Sequence, residues 1–244
     1  MIERPTQRIL PVESALDRTQ EDTSPDGIDR RGFLKCMAWA GTGLVWSFAG
    51  GIPVSRVLGQ THHAGKGVDF TFVQISDSHI GFNKAANTNV TGTLETALNK
   101  INSYSDSPDF LIHTGDLTHG SKDAEFDTLN QVLTGAKRKI FYVPGEHDTS
   151  VDDGKKYLER YGKGSQGNGW YSFDHKGVHF IGLVNVVQLE GMGKLGQAQL
   201  DWLKKDLSGL KSSTPIVVFA HIPLWAVYPA WDGERRTVSR PLAC

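Results

Sequence analysis

The feature that most constrains this chain is a set of short apolar segments that each run directly into acidic or histidine residues. The first, residues 70–76, is rich in β-branched and aromatic residues, which is typical of a buried strand. Three further segments share this pattern: 109–114, 139–143 and 215–220. Because functional groups of α/β sheets collect beyond the carboxyl ends of the strands, we expect the polar residues that follow to lie together.

Amphipathic helices alternate with these strands. Apolar residues recur at helical spacing over 91–104, 123–135 and 196–210. Two more apolar segments, 170–173 and 178–187, flank a short polar turn and predict a hairpin. The order of elements therefore predicts an α/β fold in which helices pack on sheets.

Length and composition exclude several classes of protein. A chain of 244 residues allows one large domain or two small ones. The formal net charge of -1 argues against nucleic-acid binding, because phosphate recognition needs a basic surface. Cys36 and Cys244 are the two cysteines, too few for a disulfide framework.

The beginning of the chain is interpreted as an export signal. Residues 1–29 are polar and predicted to be disordered. The pair Arg30-Arg31 precedes an apolar stretch over 37–54, and this combination resembles the twin-arginine signal peptide of bacteria. An uncleaved membrane anchor is the alternative, because the stretch has about the length needed to span a bilayer.

This interpretation implies a division of the chain. The expected parts are a disordered region over 1–29, a twin-arginine signal peptide over 30–59, a linker over 60–67, the main domain over 68–231 and a tail over 232–244. The twin-arginine export machinery is then an expected partner, and the periplasm the expected location. Contact with a membrane is expected only through an uncleaved signal segment.

Acidic and histidine residues follow all four strands. Asp77 and His79 stand at positions i and i+2, which project to the same side of an extended chain and can grip one ion. The other three strands are followed by Gly115-Asp116, by Gly145-Glu146-His147 and by His221. Each motif alone is more typical of turn chemistry or of a structural histidine. Their coincidence favours a metal site, because ordinary packing does not require it.

Over residues 70–224 these motifs resemble the calcineurin-like metallophosphoesterase family, whose blocks are Asp-x-His, Gly-Asp, Gly-Asn-His-Asp/Glu, His and Gly-His-x-His. The resemblance implies a two-sheet β-sandwich flanked by helices and a hydrolase of small-molecule phosphoesters. It also implies two metal ions that share one carboxylate. The ligands would be Asp77, His79 and Asp116 for the first ion, and Asp116, Glu146 and His221 for the second.

The implied chemistry suits these residue types. Mixed Asp, Glu and His ligands favour two divalent or trivalent ions of Mn, Fe or Zn. A hydroxide bridging the ions would attack phosphorus. His147 would stand beside the leaving oxygen as the catalytic residue, where it can stabilise charge or donate a proton. A structural loop histidine is the alternative interpretation of His147.

The chain departs from the family pattern at Glu146, where the family usually has Asn. The extra carboxylate cancels one positive charge of the two ions. A less positive site should penalise a dianionic phosphomonoester more than a monoanionic phosphodiester. We therefore expect a preference for phosphodiesters.

The second departure is at the end of the chain. No Gly-His-x-His follows His221, and residues 232–244 show no strand or helix period. The expectation from this pattern is a C-terminally incomplete domain, as in a truncated or frameshifted product of a longer enzyme. The alternative to an active hydrolase is an inactive remnant with at most weak metal or phosphate binding.

Four other residues near these motifs carry weaker expectations. His113, within the second strand, is predicted to be packed in the core. His119 lies close to the motifs in sequence and is a candidate for substrate contact. Trp225 and Trp231 follow the His221 loop and either line a substrate pocket or pack.

Overall fold

The computed structural model describes residues 43–57, 69–105, 107–187 and 193–224, all within one compact unit. These residues form strands β1 Leu44–Ala49, β2 Ile52–Val57, β3 Phe70–Ile75, β4 Phe110–His113, β5 Lys139–Tyr142, β6 Tyr171–His175, β7 Val178–Gly182 and β8 Ile216–Phe219. The helices are α1 Val90–Asn102, α2 Asp123–Leu133, α3 Glu146–Thr149, α4 Lys155–Tyr161 and α5 Gln197–Leu207.

The strands build two sheets. The larger has the order β2-β1-β3-β4-β5, and the smaller has the order β6-β7-β8. Strands β3, β4 and β5 are parallel, with Ile75 opposite His113 and His113 opposite Tyr142. Their carboxyl ends therefore meet at one edge, where the loops that follow them lie side by side.

An aromatic core fills the space between the sheets. Phe70, Phe72 and Phe110 of the larger sheet are almost fully buried. Phe180 of β7 meets the ring of Phe72 edge-on at 5.5 Å and that of Phe110 at 5.3 Å between centroids. These edge-to-face contacts are a favoured arrangement of aromatic rings, and they bind the two layers together.

A second core lies between the larger sheet and its helices. Val73 and Leu111 project to this face because side chains alternate along a strand. They pack with Leu98 of α1, Leu129 of α2 and Tyr157 of α4, all of them buried. The two cores confirm the predicted sandwich flanked by helices.

Residues 44–57 fall within the expected signal peptide over 30–59, and that division of the chain stays a prediction. This part of the expected signal peptide forms the β1–β2 hairpin, and β1 pairs antiparallel with β3. Val45 packs on the helix side of the sheet, whereas Phe48 packs between the sheets and stacks on Phe70 at 4.8 Å. Alternation along β1 lets a largely apolar strand serve both cores.

Arg30 and Arg31 lie outside the described residues, so export remains a prediction. Within the ranges that the structure covers, no helix is both long and apolar enough to cross a membrane.

Candidate metal centre

The loops after β3 and β4 run together beyond the sheet. The backbone N–H of Asp77 donates to Gly115 O at 2.9 Å, and that of His79 donates to Asp116 O at 2.9 Å. Asp77, His79 and Asp116 all have positive φ, at 57°, 42° and 52°. Non-glycine residues adopt this conformation at a cost, and they keep it where the surrounding hydrogen bonds enforce it.

Two glycines let three loops approach closely. A Cβ on Gly115, whose φ is 106°, would lie 2.6 Å from His221 Nδ1. A Cβ on Gly145 would lie 2.0 Å from Asp116 Oδ1. Both positions therefore need glycine to bring the ligands together, which gives a physical reason for the Gly-Asp and Gly-Glu pairs.

Asp148 holds the loops after β4 and β5 together. Its carboxylate is fully buried and accepts hydrogen bonds from the backbone N–H groups of Leu117, Thr118 and Gly145 at 2.8–3.0 Å. The Thr118 hydroxyl donates a further bond at 2.9 Å. Burial raises the pKa of Asp148, although all these donors favour its charged form. Asp148 belongs to the third strand-end motif, directly after Glu146-His147, but its role in joining the loops was not predicted from the sequence.

The structure brings together all five predicted metal ligands. They form two groups that share one residue: Asp77, His79 and Asp116, and Asp116, Glu146 and His221. Oδ2 of Asp116 lies 3.4 Å from His79 Nε2 and 3.6 Å from His221 Nε2. One carboxylate oxygen thus faces a histidine of each group.

The spacing of these atoms fits bound metal ions. Ligand atoms about 2.1 Å from one ion stand about 3.0–3.4 Å apart at tetrahedral or octahedral angles. The contacts of His79 Nε2 with Asp77 Oδ1 and Asp116 Oδ2, at 3.7 and 3.4 Å, are close to this range. Oε2 of Glu146 is buried and lies 2.8 Å from His221 Nε2, yet no described donor meets it with hydrogen-bond geometry. Glu146 and His221 could hold a cation through these two atoms, which would satisfy both of them.

The backbone sets the tautomer of His221. Its Nδ1 lies 2.8 Å from Thr114 O, and a carbonyl oxygen can only accept, so Nδ1 carries the proton. When His221 gives up its second proton, the neutral ring therefore presents the lone pair of Nε2 to Glu146 and Asp116. A carbonyl partner on the far nitrogen is typical of metal-binding histidines.

The clustering of carboxylates at this centre is electrostatically costly without a positive partner. Burial raises the pKa of Asp116 to about 6, with a further contribution from Glu146 and against the opposing influence of His221. Burial disfavours the charged form of His221, but Glu146 and Asp116 outweigh it and raise the pKa of His221 to about 9. A bound cation can replace that proton as the partner of these carboxylates.

His147, the predicted catalytic residue, lies beside both ligand groups. Its backbone N–H donates to Asp116 Oδ1 at 3.0 Å, so it also orients the shared ligand. Its ring Nδ1 donates to His119 O at 2.6 Å. The ring centroid lies 4.7 Å from that of His79.

The remaining candidates divide into buried and adjacent residues. His113 is fully buried, as predicted, and burial lowers its pKa to about 3. It accepts a bond from Gly115 N at Nδ1 and contacts Ser78 Oγ at 3.0 Å through Nε2. His119 lies against His79 and His147, whereas Trp225 and Trp231 lie outside the described residues.

The chain is similar to proteins with phosphodiesterase and phosphatase names. The chain is 24% identical over 175 residues to a "Probable glycerophosphodiester phosphodiesterase" of Arcobacter nitrofigilis, a match that covers 69% of this chain and 63% of that protein. It is 30% identical over 143 residues to the human serine/threonine-protein phosphatase CPPED1, with 54% of this chain and 45% of that protein covered.

A solved structure shows a similar fold. The crystal structure of a dimetal phosphatase from Danio rerio superposes with a TM-score of 0.50 at 17% identity, over 63% of this chain and 70% of that one. Residues 70–242 match the sequence model of the calcineurin-like phosphoesterase family. The match confirms the resemblance carried by the strand-end motifs, and the chain belongs to the calcineurin-like phosphoesterase family.

Proposed function

We propose that the protein hydrolyses phosphoester bonds with two metal ions bound at the strand-end loops. The observation that carries this proposal is the position of Asp116 Oδ2, which faces a histidine of each ligand group. The family and the phosphatase and phosphodiesterase names of the relatives support it. The chain spans 63% of the Arcobacter relative and 45% of the human one.

The protein's own residues would hold the ions and manage one proton. Ions bound here would acidify a water molecule and polarise a phosphoryl oxygen. Asp77 and His79 would hold one ion, Glu146 and His221 the other, and Asp116 both. Nδ1 of His147 donates to a carbonyl, so its Nε2 would hold a transferable proton only in the doubly protonated, cationic ring. That proton would pass to the leaving oxygen and leave the neutral ring. The oxygen and nitrogen ligands suit Mn, Fe or Zn.

We propose that phosphodiesters are the preferred substrates. Two divalent ions carry four positive charges, whereas Asp77, Asp116 and Glu146 carry three negative ones. A site with so little excess charge favours a monoanionic diester over a dianionic monoester. Several relatives bear phosphodiesterase names, among them the Arcobacter protein and a 3',5'-cyclic adenosine monophosphate phosphodiesterase of Haemophilus influenzae, the latter 25% identical over 61% of this chain and 54% of that protein.

The direct test is hydrolysis of bis(p-nitrophenyl) phosphate by the whole chain, with Mn²⁺ and then with a chelator. We expect metal-dependent turnover that is lost in Asp116→Asn. Asp201→Asn, on the exposed face of α5, is the matched control and should behave as the parent does. If the folded chain binds Mn²⁺ but gives no turnover with any phosphoester, the hydrolase proposal fails.

Glu146→Asn tests the diester preference separately. The substitution keeps an oxygen ligand and removes one negative charge. The ratio of diester to monoester kcat/KM should fall, because the more positive site tolerates a dianion better. An unchanged ratio would show that charge at Glu146 does not set the preference.

We propose that the chain is exported through the twin-arginine pathway to the periplasm. The pair Arg30-Arg31 ahead of an apolar stretch supports this. Replacing both arginines with lysine should leave the protein in the cytoplasm of a bacterial host, as measured by cell fractionation. An identical distribution of parent and variant would contradict export by this pathway.

A further inference from the structure

Three histidines at the centre differ in what supports their Nδ1 atoms. His221 donates to Thr114 O at 2.8 Å, and His147 donates to His119 O at 2.6 Å. His79 has no backbone carbonyl in this role among the described residues. Its Nδ1 instead faces Nδ1 of His119 at 3.5 Å. One of the two ring nitrogens must carry the proton and the other must accept it.

The rings of His79, His119 and His147 form a third cluster of possible metal ligands. The rings of His119 and His147 are stacked, with centroids 4.8 Å apart and planes 19° apart. Nitrogen lone pairs lie in the plane of the ring, so two nearly parallel stacked rings do not aim at one ion. This geometry opposes a third ion held by these three rings.

The ligand groups determine which ring nitrogens of His79 and His119 carry a proton. Nε2 of His79 faces Asp77 and Asp116, and it must offer a lone pair to bind a cation there. Neutral His79 then carries its proton on Nδ1, which needs an acceptor. Nδ1 of His119 is the acceptor that the structure provides, so His119 is neutral with its own proton on Nε2.

The ring of His119 is itself held in place. The edge contact with Phe82 has centroids 5.1 Å apart, and the His147 ring lies on another side. The backbone N–H of His119 donates to Ile80 O at 2.9 Å. These contacts orient the ring nitrogen toward His79 before any ion binds.

We propose that His119 is a positioning residue for the metal centre. Its Nδ1 accepts a hydrogen bond from the Nδ1–H group of His79 and thereby selects the tautomer of His79 that binds the first ion. The backbone carbonyl of His119 likewise accepts a hydrogen bond from the Nδ1–H group of His147. This inference rests on the proposed two-ion site and adds a residue that acts through the ligand His79.

The test is Mn²⁺ binding measured by calorimetric titration without substrate. His119→Phe keeps an aromatic ring beside His147 but removes the acceptor. His119→Asn places an amide oxygen near the position of Nδ1 and restores it. We expect His119→Phe to weaken one of two binding events about 10- to 100-fold, as for other residues that support metal ligands. His119→Asn should remain within a few-fold of the parent.

A control removes a histidine elsewhere. His175 lies near the opposite end of β4, where its Nε2 pairs with Asp109. His175→Phe should leave both binding events unchanged. Thermal unfolding of each variant without metal separates loss of an acceptor from loss of fold, because a merely structural role would lower the melting temperature without selective rescue by Asn.

The outcomes separate this inference from the proposed function. If the parent binds no Mn²⁺, the two-ion proposal itself fails. If the parent binds two ions and His119→Phe binds both equally well, the positioning role alone is wrong. If His119→Phe does not fold, His119→Ala against His119→Asn makes the same comparison, and equal affinities in that pair overturn the inference.

Discussion

The N-terminal hairpin and the strand-end loops of this protein are built by opposite means. The β1–β2 hairpin joins the sheet through apolar packing, with Val45 and Phe48 almost fully buried. The loops after β3, β4 and β5 are joined by hydrogen bonds between specific polar groups. The most important are those from backbone N–H groups to the carboxylate of Asp148. Apolar packing leaves little trace in a sequence motif, whereas polar chemistry demands particular residues at particular spacings.

Removal of the β1–β2 hairpin should have the largest effect on stability. If stability did not change, the contrast between the packed hairpin and the hydrogen-bonded loops would not hold. A chain of residues 60–244 exposes Phe70, Phe72 and Val73 on both faces of β3. Losing one large buried side chain alone costs about 3–5 kcal/mol. We therefore expect the shortened chain to lose cooperative unfolding, as measured by circular dichroism against residues 43–244.

Equal melting temperatures for the two chains would contradict a structural role for the hairpin. They would favour the interpretation of residues 44–57 as part of a removable signal peptide. A stable 43–244 chain beside an unfolded 60–244 chain would show that cleavage near residue 59 is incompatible with this fold.

Asp148→Ala tests the polar connection between the loops. It leaves three backbone N–H groups and one hydroxyl without their buried acceptor. Each buried unsatisfied donor costs about 1–3 kcal/mol, so the free energy of unfolding should fall by about 3 kcal/mol or more. Urea unfolding measures this, with the exposed Asp201→Ala as control. A loss below about 0.5 kcal/mol, the usual size of a surface substitution, would contradict the role of Asp148.

Gly145→Ala tests whether the close approach of Gly145 to Asp116 is needed for metal binding. The added Cβ would lie 2.0 Å from Asp116 Oδ1, so the shared ligand has to move. We expect Mn²⁺ affinity to fall about 10- to 100-fold, comparable to other displaced metal ligands. Gly209→Ala is the control, because a Cβ there meets nothing within 4 Å. Equal Mn²⁺ affinities in the two variants would show that the close approach is not required.

The smallest expected effect is the dependence of Mn²⁺ affinity on pH. The neighbouring carboxylates raise the pKa of His221 to about 9, so without metal it is protonated at pH 7. A bound ion needs the Nε2 lone pair, and binding must therefore release that proton. Apparent Mn²⁺ affinity should rise with pH from about 7 to 9 and fall below about 6, where Asp116 takes up a proton.

Calorimetry in buffers of different ionisation enthalpy measures the released proton directly. His221→Asn should abolish the pH dependence between 7 and 9 while weakening binding. A binding enthalpy independent of buffer at pH 7 would contradict a protonated His221 in the metal-free centre.

The positions of the helices and strands after residue 69 were largely readable from periodicity. The helix predicted over 196–210 is observed as Gln197–Leu207, and the strand predicted over 109–114 as Phe110–His113. The short helix α4 was not predicted, because seven residues hold too little of an apolar period to stand out. The strands β1 and β2 were assigned to a signal peptide, since their apolar residues fit either role.

The ligand residues show the same division. Asp77, His79, Asp116, Glu146 and His221 were identified because few side chains can bind a cation and each follows a recognisable strand. The contacts of Asp148 with the loops and of His119 with His79 were not predicted. Both depend on contacts between loops that are far apart in sequence.

Sequence alone was sufficient for the family, the order of strands and helices after residue 69 and the residues with metal-binding chemistry. These properties are local, because they depend on the residue types within a segment and on their spacing. Only the tertiary structure decided which apolar segment completes the larger sheet and which nitrogen of each histidine carries a proton. Burial and hydrogen-bond partners come from distant parts of the chain, and the same apolar stretch or the same imidazole behaves differently according to what lies against it.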